Sequence, residues 1–143
     1  MKIRDIMTDE VAYVSPETMV VEAARLMQKH DVGAIPVCTQ DGVVGIVTDR
    51  DIIVRNIAHG KDPHTTPVKD VMTSKVESVS PEMSVGDAAE LMSARQIRRL
   101  PVVENDRLVG IVSVGDLAMG GIADMEVGQM LADISFPAKP EKI

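Results

Sequence analysis

The sequence predicts a mixed α/β (α+β) fold of two pseudo-symmetric β-α-β-β-α motifs that pack through their sheets into one module. Three observations predict this fold: an internal repeat, an apolar stripe at helical spacing in each copy, and two short apolar runs separated by a polar turn after each stripe. One small three-stranded unit buries too little apolar surface to be stable alone. We therefore expect the two copies to pack against each other.

The repeat has an offset of about 65 residues, which is typical of a duplicated supersecondary unit. Residues 3–52 align with residues 68–117 without a gap, and about 21 of these 50 positions are identical. The alignment predicts a first motif at 1–60, a connector loop at 61–67, a second motif at 68–120, and a C-terminal helix and frayed tail at 121–143.

Each copy contains an amphipathic helix after a Val-Ser-Pro-Glu segment. Apolar residues recur there at positions i, i+3, i+4 and i+7, the spacing of one helix face. In the second copy, Ser84 followed by Asp87 predicts an N-terminal cap, whereas Thr18 is the nearest capping side chain in the first copy. The predicted core positions are Val20, Ala23, Ala24 and Met27 in the first copy and Val85, Ala88, Ala89 and Met92 in the second.

Two strands and a second helix follow in each copy. The predicted strands are 35–38 and 43–47, then 100–103 and 108–112, with turns at 40–42 and 105–106. Asp-Gly between β-branched runs is typical of a hairpin. Pro36 and Pro101 are expected at the start of their strands, where a missing N–H is tolerated. Thr48 and Ser113 then open the second helices, and a further short helix is expected over 124–134.

Composition excludes several classes of function. The net charge of −7 argues against nonspecific binding to nucleic acid or to an anionic membrane. Cys38 is the single cysteine, which excludes an intramolecular disulfide and favours a cytoplasmic location. No apolar run is long enough to span a membrane, and the N-terminus lacks the apolar region of a signal peptide.

The chain offers no arrangement typical of an enzyme or of a metal site. His30, His59, His64 and Cys38 do not have the spacing of metal ligands. No nucleophile elbow, P-loop or Rossmann fingerprint is present. We expect neither catalysis nor a catalytic cofactor.

Two hydroxyl–carboxylate pairs are the candidate site residues. Thr48 with Asp51 and Ser113 with Asp116 follow the repeated Gly-Ile-Val phrase. A carboxylate is an acceptor that can bind both hydroxyls of a ribose diol. The alternative is that these residues only cap the second helices, and both roles can coexist.

Two tandem copies of Met-Thr, Val-x-Pro, Ala-Ala-x-x-Met, Leu/Ile-Pro-Val and Gly-Ile-Val-Thr/Ser-x-x-Asp resemble a pair of CBS domains, named after cystathionine β-synthase. The resemblance covers roughly residues 2–120 and is to a small stand-alone prokaryotic CBS-pair protein. It implies a regulatory module that binds an adenosine-containing ligand: AMP, ADP, ATP, NAD or S-adenosylmethionine. It also implies homodimerisation through helices, with an unknown protein target.

The resemblance further implies composite pockets, each with ribose-binding residues from one copy and base-lining residues from the other. The first pocket would combine Ile111, Ser113 and Asp116 with Ser15, Val20, Val32, Gly33 and Ala34. The second would combine Ile46, Thr48 and Asp51 with Ser80, Val85, Ile97, Arg98 and Arg99.

The copies differ where a phosphate group is expected. The second copy has Arg98-Arg99 where the first has Gly33-Ala34. Arginine is a planar, always charged phosphate ligand, although the pair could also be a solvated surface pair. It stays open whether both pockets hold phosphorylated ligands. A structural dimerisation or partner-binding module with vestigial pockets is the alternative function.

Overall fold

The computed structural model describes residues 1–120 and 124–136. It has the mixed helix and strand architecture that the sequence predicts, with two small sheets of two strands each. Residues 121–123 and 137–143 of the predicted C-terminal helix and tail lie outside the described residues. The helices are α1 (Val20–His30), α2 (Asp49–Ile52), α3 (Val85–Arg95), α4 (Val114–Gly120) and α5 (Asp124–Ser135); the strands are β1 (Ala34–Thr39), β2 (Gly42–Thr48), β3 (Arg99–Glu104) and β4 (Arg107–Ser113).

The chain divides into two compact units. The first segment of each repeat copy lies in the unit that contains most of the other copy. Of the described residues, unit 1 comprises 1–9, 77–104, 109–120 and 124–136, and unit 2 comprises 10–76 and 105–108. The short 3₁₀ helix Ile3–Asp5 thus belongs with α3, and its repeat counterpart Val68–Asp70 belongs with α1. Ile3 and Val68 are each fully buried in the core of the unit that they join.

The amphipathic helices form as the apolar spacing predicts, and each contributes to the core of its own unit. Val20, Ala23 and Met27 of α1 are buried in unit 2. The predicted cap of α3 is confirmed, since the Asp87 amide donates to Oγ of Ser84 at 3.1 Å. Among the described residues no side chain caps α1, for which Thr18 was the nearest candidate.

One helix position departs from the prediction. Ala24 is exposed, whereas its repeat counterpart Ala89 is 6% exposed. Helix α5, which confirms the predicted additional helix, packs against α3 and places the buried Met130 in the same core cluster as Ala89. The expectation that Ala24 is a core residue is wrong because unit 2 contains no such covering helix in the described residues.

The first strand of each motif is reduced to one bridging residue. Val14 pairs in parallel with Val37, and Val79 pairs in the same way with Val102. The Val14 amide donates to the Pro36 oxygen at 3.1 Å, and the Cys38 amide donates to the Val14 oxygen at 2.8 Å. The pairing stops there because Pro16, two residues after Val14, lacks an N–H.

The prolines lie inside their strands rather than at the start, so this detail of the prediction is wrong. Pro36 is the third residue of β1 and pairs with Ile46. Ile46 directs its amide and carbonyl away from β1, towards Thr73. Because Pro36 therefore occupies a non-hydrogen-bonded pair, its missing N–H leaves the antiparallel β1–β2 ladder intact.

Candidate functional site

The two predicted hydroxyl–carboxylate pairs have the same geometry in the two units. In unit 2 the Thr48 amide donates to Oδ2 of Asp51 at 3.0 Å, and the Asp51 amide donates to Oγ1 of Thr48 at 3.1 Å. In unit 1 the Ser113 amide donates to Oδ2 of Asp116 at 2.8 Å, and the Asp116 amide donates to Oγ of Ser113 at 3.2 Å. Each pair joins the end of a strand to the first turn of a helix.

These reciprocal hydrogen bonds cap the starts of α2 and α4. Helix capping, the alternative role of the two hydroxyl–carboxylate pairs, is therefore present. The bonds engage only one oxygen of each carboxylate. Oδ1 of Asp51 lies 3.9 Å from Nε of Arg55. Within 1–120 and 124–136 no hydrogen-bond donor reaches Oδ1 of Asp116, which leaves that atom available to a hydroxyl group.

Accessibility differs between the two carboxylates. Asp51 is 8% exposed, whereas Asp116 is partly buried. The Arg55 guanidinium also donates to the main-chain oxygens of Val71 and Met72, at 3.1 and 3.2 Å, and so covers one side of Asp51. The repeat counterpart of Arg55 is Gly120, which offers no such cover to Asp116.

Each unit also brings its own predicted base-lining segment beside its carboxylate pair. In unit 2 the Asp49 amide donates to the Gly33 oxygen at 3.0 Å, and Ala34 pairs with Thr48. In unit 1 the Val114 amide donates to the Arg98 oxygen at 2.9 Å. The start of β1 thus lies next to the end of β2, and the repeated contact in unit 1 joins the segment before β3 to the start of α4.

The remaining predicted residues divide between core and surface. Val20 is fully buried and Val85 is 8% exposed, so both contribute to their cores. Ser15 and Ser80 are exposed, Ile46, Ile97 and Ile111 are partly buried, and Val32, Arg98 and Arg99 are exposed. Unit 2 therefore contains Ser15, Val20, Val32, Gly33, Ala34, Ile46, Thr48 and Asp51, and unit 1 contains Ser80, Val85, Ile97, Arg98, Arg99, Ile111, Ser113 and Asp116. Their combination into composite pockets stays a prediction.

Thr8 and Thr73 lie beside the site, although the sequence pattern did not predict them as site residues. Thr8 exchanges two main-chain hydrogen bonds of 2.9 Å with Ile111 in unit 1. Thr73 exchanges bonds of 2.9 and 3.0 Å with Ile46 in unit 2. The signal was present in the sequence, since Met-Thr recurs at the repeat offset. The exchange of first segments, which brings Thr8 to the second-copy strand, was not visible in the pattern.

The close approach of these segments requires glycine in the strands. A Cβ at Gly110 would lie 2.7 Å from Sδ of Met7 and 2.9 Å from the Thr8 oxygen. A Cβ at Gly45 would meet Met72 and Thr73 at the same distances. The repeated Gly-Ile-Val phrase therefore combines a packing glycine with the candidate site residues that follow it.

The described residues contain no cluster of three or more His, Cys, Asp or Glu side chains placed to hold a metal ion. None of the helices in the described part of the chain has the length and apolar character needed to cross a bilayer.

The model of the CBS domain family matches residues 3–56 and 68–120. The CBS domain-containing protein YhcV of Bacillus subtilis is 48% identical over 133 residues, covering 93% of this chain and 94% of that protein. Among solved structures, Hypoxic Response Protein I with two coordinated zinc ions has a TM-score of 0.78 and 35% identity, covering 85% of this chain and all of that one (100%).

Two similar structures contain adenosine compounds. CBSX2 in complex with AMP has a TM-score of 0.72 and 28% identity, over 83% of this chain and 94% of that one. The CBS domain pair of protein MJ0100, in complex with 5′-methylthioadenosine and S-adenosyl-L-methionine, has a TM-score of 0.74 and 27% identity, over 83% of this chain and 94% of that one. The double match of the family model, together with these similarities, shows that the chain belongs to the CBS-domain family and contains a tandem pair of CBS domains.

Proposed function

We propose that this chain is a regulatory module that binds an adenosine-containing ligand through Asp51 and Asp116. The proposal rests on an arrangement that occurs once in each unit. One carboxylate oxygen accepts a hydrogen bond from a main-chain amide, that of Thr48 for Asp51 and that of Ser113 for Asp116, and the other oxygen takes no part in this bond. A carboxylate fixed in this way can accept hydrogen bonds from ribose hydroxyls without further ordering. The adenosine compounds in the structures of CBSX2 and MJ0100 support this class of ligand.

The remaining predicted residues have supporting roles in this proposal. The partly buried Ile46 and Ile111 supply apolar surface for an adenine ring, next to Thr73 and Thr8. The exposed guanidinium groups of Arg98 and Arg99 supply charge for a phosphate group. The proposal includes AMP, ADP, ATP, NAD and S-adenosylmethionine as candidate ligands, assigns no catalytic role to the chain, and retains the cytoplasmic location favoured by its single cysteine.

The test is a thermal unfolding series with AMP, ATP, NAD and S-adenosylmethionine. A ligand present at a hundred times its dissociation constant stabilises the folded state by about 2.7 kcal/mol. The variants Asp51→Asn and Asp116→Asn keep an oxygen that can accept the capping hydrogen bond but lose the charge. We expect each to retain most of its stability without ligand and to lose part of the ligand-induced shift, and the double variant to lose nearly all of it.

The matched control is Asp41→Asn, which removes one exposed carboxylate from the β1–β2 turn. It should keep the full ligand-induced shift. Unchanged unfolding temperatures with all four compounds, together with no adenosine compound in a mass spectrum of the purified protein, would exclude the proposed function.

The alternative, a dimerisation module, is favoured by one observation. The π-helical turn Ile53–Ile57 after α2 presents Ile53, Val54 and Ile57, which are 59, 42 and 50% exposed. Three neighbouring exposed aliphatic side chains are typical of a contact surface. We propose that a second copy of the chain covers them.

Sedimentation of the double variant Ile53→Lys/Ile57→Lys tests this association, with Val32→Lys as the control because Val32 is also exposed but lies outside the turn. We expect a dimer for the wild type and the control, and a monomer for the double variant. A wild type that sediments as a monomer contradicts the association.

A further inference from the structure

Unit 1 and unit 2 differ in charge at one pair of equivalent positions beside the candidate site. In unit 2 the pair is Gly33 and Asp49; in unit 1 the repeat counterparts are Arg98 and Val114. The main-chain contact within the pair is the same in both units, at 3.0 Å for Asp49 to Gly33 and 2.9 Å for Val114 to Arg98. The main-chain contact is therefore the same in both copies, whereas the side-chain charge is negative in unit 2 (Asp49) and positive in unit 1 (Arg98).

The Asp49 carboxylate lies close to the space that a side chain at position 33 would enter. A Cβ at Gly33 would lie 3.0 Å from Oδ2 and 3.4 Å from Cγ of Asp49. Its three nearest atoms all belong to that carboxyl group. In unit 1 the residue at this place carries a guanidinium group, and its neighbour Val114 is uncharged.

Neither charge is neutralised by an ion pair in the described residues. The eight ion pairs found within 1–120 and 124–136 include neither Asp49 nor Arg98 nor Arg99. In the part of the chain that the structure describes, Oδ1 of Asp49 accepts a hydrogen bond only from the neighbouring Arg50 amide, at 2.8 Å. Arg50 is exposed, and Arg55 donates to two main-chain carbonyl oxygens.

We propose that this pair of positions selects ligands by charge: Arg98 directs phosphorylated adenosine compounds to the site of unit 1, and Asp49 directs uncharged or cationic adenosine compounds to the site of unit 2. The inference rests on the proposed adenosine-binding function and names the ligand class of each site. It assigns Arg98 to the site of Asp116 in unit 1, where its main chain contacts Val114, in place of the second composite pocket that the resemblance implied. A guanidinium group forms charge-assisted hydrogen bonds with phosphate. A carboxylate repels phosphate, and it attracts a cation such as a sulfonium group. Asp49 and Arg98 are thus specificity-determining residues.

The test is a calorimetric titration of the full chain with AMP and with adenosine, which share the base and ribose but differ in the phosphate. For the wild type we expect one strong AMP site per chain, and a second site that AMP fills at least about tenfold more weakly. Adenosine should still bind once per chain when AMP occupies the strong site.

Replacing each selecting residue by its counterpart from the other unit should remove the preference of that site. Asp49→Val, which introduces the unit 1 residue, should strengthen the second AMP site about tenfold and leave adenosine affinity within about twofold. Arg98→Gly, which introduces the unit 2 residue, should weaken the strong AMP site about tenfold with the same small effect on adenosine. Asp41→Asn, the control for net charge, should change neither ligand.

Two outcomes separate this inference from the proposed function. If adenosine binds but the wild type has two equal AMP sites, or Asp49→Val leaves AMP binding unchanged, the selection by charge is overturned and the adenosine-binding function stands. If neither AMP nor adenosine binds to the wild type, the selection by charge is overturned, and the thermal unfolding series with ATP, NAD and S-adenosylmethionine then decides whether the proposed function fails as well. Far-ultraviolet circular dichroism of each variant checks that these exposed substitutions leave the fold intact.

Discussion

Gln96 donates a hydrogen bond from Nε2 to the main-chain oxygen of Asp133, 3.1 Å away, and connects the C-terminal ends of α3 and α5. The same nitrogen also donates to the Phe136 oxygen. Gln96 has a φ of 54°, a left-handed conformation that ends α3. One residue therefore terminates one helix and caps another.

We expect Gln96→Ala to lower the free energy of unfolding by about 1 kcal/mol, because the main-chain oxygens of Asp133 and Phe136, at and just after the end of α5, lose this donor. The control is Gln129→Ala, which removes an exposed bond of 2.8 Å to the Asp133 carboxylate within α5. That bond between residues four apart contributes only about 0.2–0.5 kcal/mol. Urea unfolding of the two variants measures the difference, and equal losses would show that Gln96 does not hold α5.

Helix α5 covers Ala89 of α3, whereas the equivalent Ala24 of α1 is exposed. We therefore expect a larger side chain to destabilise the protein at position 89 but not at position 24. Ala89→Leu should destabilise unit 1 by about 1–3 kcal/mol, since a larger side chain must fit beneath α5. Ala24→Leu, at the exposed equivalent position of α1, should change stability by no more than about 0.5 kcal/mol. Thermal unfolding compares the two, and a similar destabilisation at both positions would contradict the different burial.

Two glycines should respond to alanine in opposite directions. Gly110→Ala would place a methyl group 2.7 Å from Sδ of Met7 and 2.9 Å from the Thr8 oxygen, so we expect a loss of about 1–3 kcal/mol. Gly128 lies within α5, and a Cβ there would meet no atom of the described residues within 4 Å. Gly128→Ala should stabilise the helix by about 0.5–1 kcal/mol. Chemical denaturation checks both signs, and a stabilising Gly110→Ala would refute the close approach.

Burial raises the pKa of the Cys38 thiol above its ordinary value. Because the pKa is higher in the folded state, the associated stability is present below the unfolded-state pKa and is lost as the pH rises through the folded-state pKa. The thiol should react with a disulfide reagent more slowly in the native protein than in urea-unfolded protein at neutral pH. Equal rates for native and unfolded protein would show that Cys38 is not protected.

Much of the local structure was predictable because it depends on near neighbours in the chain. The spacing of Val85, Ala88, Ala89 and Met92 predicted α3, and the Ser84 cap follows from a hydroxyl close to an amide three residues later. The hydroxyl–carboxylate pairs were found for the same reason, since the capping bonds join residues three positions apart. The repeat then showed that both sites share one local design.

The sequence by itself determined the elements, the duplication and the residues that could bind a ribose, because each depends on periodicity or short spacing. Only the tertiary structure decided which segment joins which unit, and that Ala24 is exposed while Ala89 is covered by α5. It also decided that Asp49 lies beside Gly33, where the equivalent pair in unit 1 carries the opposite charge. These relationships join residues distant in the chain, and an apolar or charged side chain does not specify in advance which distant partner will meet it.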